Sequence, residues 1–193
     1  MVINARRFAT RLTVSIFGVF ALATMLPVRG MAQSSPTHPA AAPQAGALVN
    51  IVRESTERFK DVAIAEAEGY QPMFGCVSGP DSGAMGIHYV NFPLVIDGVV
   101  DPTRPEIVIY EPAANGRLRL IGADYLVLAD AWDRTHPHAP ELEGQLFHMF
   151  EAPNRFGLPT FYTLHVWAWK ANPTGMFVNW HSNVSCTSYA GNQ

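Results

Sequence analysis

Apolar residues recur at helical spacing along residues 47–68, and this pattern predicts an amphipathic helix. Gly69 and Pro72 follow and predict where the helix ends. Beyond this point, runs of β-branched and aromatic residues separated by turn residues predict short strands. The predicted strands cover residues 85–91, 93–96, 99–100, 106–111, 117–129, 145–150, 161–170 and 176–179.

Three short sequences predict how these strands are connected. The pairs Asp97-Gly98 and Asn115-Gly116 are favoured in two-residue type I′ hairpin turns, because both central residues need positive φ angles. Residues 172–175, Asn-Pro-Thr-Gly, fit a type I turn and predict a third hairpin. The chain is therefore predicted to form an α+β domain, with an N-terminal helix packed on a mostly antiparallel, barrel-like sheet.

The turn at residues 115–116 also predicts which side chains share a face. A two-residue loop places Glu111 opposite Leu120 and Ile107 opposite Asp124. Alternation then puts both carboxylates on a predicted buried face whose other members are aliphatic. A buried carboxylate is costly unless it is paired, hydrogen-bonded or protonated.

The N-terminus has the features of an export signal. Three arginines precede an uncharged apolar run at residues 12–26, and Gly30-Met31-Ala32 offers the small residues that a signal peptidase requires. The run is shorter than the ~20 residues of a membrane-spanning helix, so residues 1–32 are predicted to be a cleaved signal peptide, with an uncleaved anchor as the alternative. Residues 33–46, rich in Pro and Ala, are predicted to be a disordered leader, and residues 47–193 a single domain.

Export changes the charge of the protein. The signal peptide contains four of the 13 Lys and Arg residues and none of the 16 acidic residues, so the mature chain carries a net charge of about −7. An acidic chain without a basic cluster is not expected to bind nucleic acid or an anionic membrane. No stable membrane insertion is predicted after cleavage.

The two cysteines, Cys76 and Cys186, are the whole complement of the chain. The export signal predicts a periplasmic or secreted protein, and therefore an oxidising compartment. An even number of cysteines in such a compartment predicts one disulfide. The alternative is a reactive thiol or a thiolate metal ligand, but the chain has no C-x-x-C motif.

Three histidines, His88, His148 and His165, lie within predicted strands. Converging imidazoles, together with Glu111, would bind zinc, iron or copper and leave a position for water or substrate. Since no two of them have H-x-H spacing, tertiary folding must bring them together, and the alternative for each is a hydrogen-bonded core residue. An ion shared by His88 and His165 requires imidazole nitrogens within about 8 Å of each other.

Two other groups of residues have both a functional and a structural interpretation. Glu111, if buried, would have a raised pKa suited to proton transfer, whereas the alternative is a salt bridge to an arginine or a hydrogen bond to a tyrosine. The tryptophans Trp167 and Trp180 either pack in the core or line a pocket for an aromatic or sugar-like molecule with His165 at its floor. His136 and His138 have H-x-H spacing, but their proline-rich loop predicts only incidental metal affinity.

Several segments resemble a group of exported bacterial proteins of unassigned function. They are "RFKDVAIAEAEGY", "GAMGIHYVN", "VIYEP", "LHVWAWKANPTGMF" and "SNVSC", and the likeness runs over most of the chain after the leader. The resemblance implies that His88, Tyr89, Glu111, His165 and Trp167 belong to a recurring pattern. It implies no particular reaction.

These observations predict an exported, soluble protein that binds a small ligand or a metal ion in a pocket. The expected ligand-binding residues are His88, Tyr89, Trp167 and Trp180, the expected metal ligands are His88, His148 and His165, and the expected catalytic residues are Glu111 and His165. One alternative is a metal-assisted lyase, isomerase or hydrolase in which the ion polarises the substrate and Glu111 moves a proton. Another is a structural or partner-binding envelope protein whose aromatic residues are all core.

Overall fold

A computed structural model describes residues 41–191, so the predicted signal peptide and most of the predicted leader lie outside the described residues. The segment predicted as one helix is three helical pieces: α1 (Ala41–Thr56), a 3₁₀ turn (Glu57–Lys60) and α2 (Val62–Ala67). The interruption lies at Asp61, which has an extended backbone and accepts a hydrogen bond from the Ala63 amide as the N-cap of α2. α1 begins inside the range predicted as leader.

Six antiparallel strands form the main sheet in the order β1-β2-β3-β4-β8-β7, which confirms the predicted helix on an antiparallel half-barrel. Two further strands, β5 and β6, form a small separate hairpin, and α3 and α4 are single helical turns. The bounds are β1 (Gln71–Gly79), β2 (Gly83–Val90), α3 (Phe92–Val95), β3 (Ile107–Pro112), β4 (Leu118–Leu128), α4 (Ala129–Trp132), β5 (Glu141–Leu142), β6 (Gln145–Leu146), β7 (His148–Phe150) and β8 (Phe161–Val166).

The hairpin between β3 and β4 turns at Asn115-Gly116, but not in the predicted two-residue type I′ turn: Gly116 has a positive φ angle and Asn115 does not, and the Ala113 amide donates to the Arg117 carbonyl. Only part of the predicted register is correct. Ile107 lies opposite Asp124, as expected, whereas Glu111 lies opposite Arg119 and not Leu120. The loop is one residue longer than predicted, which shifts the pairing near the turn by one residue, and a bulge at Ile121 of β4 restores the predicted pairing beyond it. Glu111 keeps its place in the alternation of β3, but its partner on β4 is Arg119 and not an aliphatic residue.

Both faces of the sheet are buried, although the sequence pattern predicted one buried face. Leu48, Val49 and Val52 of α1 pack against a cluster that includes Tyr125, Leu164 and Val166 on the outer face. Ile107, Ile109, Leu126 and Phe161 belong to a second cluster. Asp124 pairs with Ile107 on one side and with His165 on the other, so all three side chains lie on the face of this second cluster, which we call the inner face.

The segment from residue 91 to 100 contains no strand, contrary to prediction. Residues 93–96 fall largely in α3, because Pro93 suits the first turn of a helix. No hairpin forms at residues 97–98, since the Asp97 carboxylate accepts a hydrogen bond from the Val99 amide and no strand flanks the turn.

Two further differences from the sequence prediction concern β1 and the segment that follows β8. β1 was missed because its alternation is broken by a bulge at Phe74 and Gly75, which both have positive φ angles. β8 ends at Val166, before the predicted end at residue 170, and the Trp169 and Lys170 amides both donate to the Ile121 carbonyl. Residues 176–179 form no strand. The turn at residues 172–175 is present, with a hydrogen bond from the Gly175 amide to the Asn172 carbonyl.

The predicted disulfide between Cys76 and Cys186 is confirmed. It joins β1 to the C-terminal segment across 110 residues. Among the described residues, no helix has the length and apolar character needed to cross a membrane.

Candidate metal centre

The side chains of His88, Asp124 and His165 meet on the inner face of the sheet. Asp124 on β4 pairs directly with His165 on β8 and with Ile107 on β3. His88 on β2 pairs with Ile109, two residues further along β3, so its side chain points to the same face. The register of four strands thus places two imidazoles and one carboxylate side by side.

The donor atoms of these three side chains are close enough to share one ion. Each residue offers one nitrogen or oxygen atom, and these atoms lie within 4.8 Å of one another. The two imidazole rings are edge to face, with centroids 5.8 Å apart. The separation satisfies the 8 Å limit expected for two histidines that share a metal ion, and only small side-chain movements are needed to reach ligand bonds of about 2.1 Å.

All three residues are buried, with exposed fractions of 4% for His88, 2% for Asp124 and 3% for His165. The Thr163 hydroxyl donates a hydrogen bond to Asp124 Oδ1 at 2.5 Å. In contrast, Nδ1 of His88 and both ring nitrogens of His165 are buried and form no hydrogen bond of normal geometry. The Gly86 backbone and the Asn179 side chain act on these two rings, and the nitrogens are otherwise available to bind a further group.

Burial also determines the protonation of the cluster. It lowers the pKa of His88 to about 4, helped by the neighbouring His165, and lowers the pKa of His165 to about 3. Burial raises the pKa of Asp124 to about 6, although the hydrogen bond from Thr163 opposes this change. At neutral pH the imidazoles are therefore neutral and the carboxylate is largely ionised, which are the forms that coordinate a metal ion.

A small cavity of about 20 Å³ adjoins the cluster. This volume is on the scale of one water molecule. Apart from the cluster and Thr163, its walls are apolar, and they include the side chains of Phe74, Met85, Phe150, Phe156 and Phe161. The cluster is therefore closed on this side by hydrophobic side chains.

A larger cleft of about 400 Å³ lies on the protein surface near the same cluster. His148, Asn179 and Trp180 line it, together with Asp81, Ser82 and Ser182. Asn179 acts on the His165 side chain, and its Oδ1 atom is buried. This residue therefore lies between the cleft and the buried cluster.

The structure separates the residues that were predicted to act together. His88 and His165 converge, but His148 is exposed on the edge strand β7 and is not among the closely spaced donors. Tyr89 follows His88 in β2 and points to the opposite face, where its ring contacts Tyr110.

The two tryptophans also have different surroundings. Trp167 is a core residue beside His165, and its indole nitrogen donates to the Val178 carbonyl at 2.6 Å. Trp180 is half-buried and lines the surface cleft. Only Trp180 thus occupies a position suited to the wall of an open pocket.

Glu111 lies in an ion-pair network that does not include His88, Asp124 or His165. Lys170 Nζ donates to its carboxylate at 2.6 Å, and Arg119 donates to the other oxygen. Burial alone would raise the pKa of this carboxyl, but the two cations outweigh that effect and lower it. The raised pKa expected from sequence is therefore wrong, and the salt-bridge alternative is the observed arrangement.

Asp124 and Asn179 are the residues of the centre that sequence reasoning missed. Asp124 was identified as a buried carboxylate, but nothing in the local sequence placed it beside His165, which lies 41 positions later. The pairing of β4 with β8 creates that contact. Asn179 lies in a segment without regular secondary structure, so no periodic pattern indicated its direction.

Comparison of the chain with protein-family models, curated proteins and solved structures gave no match.

Proposed function

We propose that this protein binds one divalent transition-metal ion through His88, Asp124 and His165. The observation that carries the proposal is a buried group of three metal-ligating side chains with donor atoms within 4.8 Å, of which several nitrogens form no hydrogen bond of normal geometry. Structural zinc sites use four protein ligands, whereas three protein ligands leave a coordination position open. The proposed centre belongs to the open type.

The chemistry of the ligands narrows the choice of metal. Imidazole suits zinc, iron, copper and nickel, while a set of two histidines and one carboxylate is typical of zinc and of non-haem ferrous iron. Calcium and magnesium prefer sites built from oxygen atoms and are not expected here. Zinc or ferrous iron is therefore the proposed occupant, with copper as the further candidate.

Electrostatics also supports a bound cation. Asp124 is buried, and among the described residues no lysine or arginine forms an ion pair with it. A buried carboxylate without a compensating charge costs several kcal/mol. A divalent ion between the carboxylate and the two neutral imidazoles would remove this cost and also bind the available nitrogens.

The proposal is tested by measuring metal content in protein purified without an affinity tag from an oxidising compartment. Elemental analysis is expected to find about one transition-metal ion per chain, and His88→Ala, Asp124→Asn and His165→Ala should each remove it. His136→Ala is the matched control, because it deletes an imidazole from the exposed H-x-H pair and should leave the metal content unchanged. Metal-free protein whose melting temperature does not respond to added zinc, ferrous or cupric ions would contradict the proposal.

A metal-assisted reaction is the second candidate function, and the open coordination position favours it. Glu111 is tied to Lys170 and Arg119, so it is not positioned to move a proton at the centre. Export also remains part of the proposal: the Cys76–Cys186 disulfide suits an oxidising compartment, and the resemblance to exported bacterial proteins of unassigned function agrees with it.

A further inference from the structure

We propose that the metal ion enters and leaves the buried centre through the surface cleft, passing the side chain of Asn179. This inference rests on the proposed function, because it concerns the route to the same centre. The donor atoms of His88, Asp124 and His165 are buried, so an ion can reach them only through an opening in the surrounding side chains. The small apolar cavity borders the cluster directly, and the cleft approaches it through Asn179, which acts on His165.

The apolar cavity is a poor route for a hydrated cation. Its volume of about 20 Å³ leaves no room for an ion together with a hydration shell. The walls on that side carry phenylalanine and methionine side chains, which cannot replace lost water ligands. Moving an ion through such surroundings without replacement ligands is strongly unfavourable.

The cleft offers a replacement ligand at each stage. Asp81, His148 and Asn179, whose side chains can each supply an oxygen or nitrogen ligand, are among the residues that line it. His148 on β7 pairs with Thr163 on β8, and the Thr163 hydroxyl donates to Asp124, so His148 lies close to the centre as well as in the cleft. An ion can thus exchange water for protein atoms step by step before it reaches His165.

Asn179 has the properties of the residue that separates the two compartments. Its side chain lines the cleft and acts on the His165 ring, and its Oδ1 atom is buried. Its neighbours are fixed, since Val178 O accepts from Trp167 Nε1 and Trp180 O accepts from Asn172 Nδ2. Rotation of the Asn179 side chain is therefore the smallest movement that would connect the cleft with the centre.

The route is tested by the rates of zinc loading and of zinc release to excess chelator, measured by stopped flow on the mature chain. Ser182→Trp places a bulky ring in the cleft without touching a proposed ligand, and it should slow loading and release by the same factor, at least about tenfold, with zinc stoichiometry unchanged. Ser188→Trp is the matched control, because Ser188 is exposed and does not line the cleft. His148→Ala should slow loading, whereas His136→Ala should not.

Phe156→Ala distinguishes the two routes, because it widens the apolar cavity and leaves the cleft intact. Unchanged exchange in this variant, together with slow exchange in Ser182→Trp, supports entry through the cleft. Faster exchange in Phe156→Ala with normal exchange in Ser182→Trp overturns the inference while the metal centre itself stands. Wild-type protein that takes up no zinc would instead contradict the proposed function.

Discussion

The Nδ1 atom of His165 lies 3.4 Å from Oδ1 of Asp124, yet no hydrogen bond joins them. The same oxygen accepts the hydroxyl hydrogen of Thr163. Two ligands of one ion with bonds near 2.1 Å are about 3.4 Å apart in a tetrahedral site, so this separation matches that of a pair that shares one ion. The strands thus hold the two side chains at the spacing that the proposed ion requires.

Replacement of Asp124 by asparagine is expected to weaken metal binding and to stabilise the metal-free protein. Asparagine keeps an oxygen for the Thr163 hydroxyl but removes the buried charge, which has no cationic partner among the described Lys and Arg side chains. Zinc affinity should fall more than about 100-fold, beyond what loss of an outer partner costs. The unfolding free energy of the metal-free protein should rise by about 1–3 kcal/mol above pH 7.

Chelator competition gives the affinity, and urea unfolding in the presence of EDTA gives the stability. The opposite signs of the two effects are the informative result, because replacing a residue that only stabilises the fold would lower both the zinc affinity and the unfolding free energy. Wild-type zinc affinity in Asp124→Asn would show that the carboxylate is not a ligand.

Thr163→Val tests the residue that orients the carboxylate. Valine has the shape of threonine but lacks the hydroxyl that donates to Asp124 at 2.5 Å. Partners of this kind usually contribute a factor of 10–100 in metal affinity, so we expect a loss of about tenfold. The measurement is the same chelator competition, and Thr160→Val serves as the control because its hydroxyl accepts from the Ala152 amide away from the centre.

The fold was predictable from sequence where a local signal determines the geometry. The position of the β3–β4 turn, the disulfide and the strands around His88 and His165 follow from the Asn115-Gly116 pair, cysteine count and β-rich composition. The length of the β3–β4 loop was not predictable from that pair, and the one-residue shift that it causes, which a β-bulge at Ile121 reverses further along β4, placed Glu111 opposite Arg119.

The candidate site was predictable only in part, for a related reason. Both histidines were identified because imidazole within a strand is chemically conspicuous, but their common partner depends on the order of the strands. Placement of β8 beside β4 brings Asp124 to His165, and the edge position of β7 leaves His148 outside the group. Strand order depends on long-range packing, which the pattern of one strand does not contain.

Glu106 gives a prediction about pH. This side chain is 2% exposed, its Oε2 atom accepts the Leu126 amide hydrogen, and burial raises its pKa to about 8, with smaller contributions from the charges of Asp124 and Asp97. A carboxyl whose pKa is higher in the folded than in the unfolded protein holds its proton more tightly when folded, so stability falls as pH rises towards 8.

Above pH 7 the effect of Glu106 on stability is separated from the effects of Asp124, His88 and His165, because burial places the pKa values of those three groups at about 6 or lower. Between pH 7 and 8.5 the metal-free protein should lose about 1 kcal/mol of unfolding free energy. Glu106→Gln keeps the acceptor for Leu126 and should abolish this loss. An equal slope in both proteins, measured by urea unfolding in EDTA, would assign the pH dependence to other groups.

Removal of the disulfide is expected to destabilise the protein without changing the centre. The bond closes a loop of 110 residues, and its loss typically costs about 2–5 kcal/mol, chiefly through the greater freedom of the unfolded chain. Thermal and urea unfolding of the Cys76→Ser, Cys186→Ser double variant measures the change. Zinc stoichiometry at 10 °C should equal that of the wild type, since neither sulfur is free to bind metal in the folded protein.

Glu111→Gln separates a structural carboxylate from a ligand or an acid–base group. Glu111 accepts from Lys170 and Arg119, and Lys170 also donates to the Asn183 carbonyl, so the network connects β3 to the C-terminal segment. Glutamine retains the hydrogen-bonding shape but loses the charge, and we expect about 1 kcal/mol of destabilisation, measured by urea unfolding. Because the carboxylate is already engaged by two cations, zinc affinity should change less than twofold. A loss of zinc in Glu111→Gln comparable to that in Asp124→Asn would require Glu111 to leave Lys170 and join the ion, and the ion-pair interpretation would then be wrong.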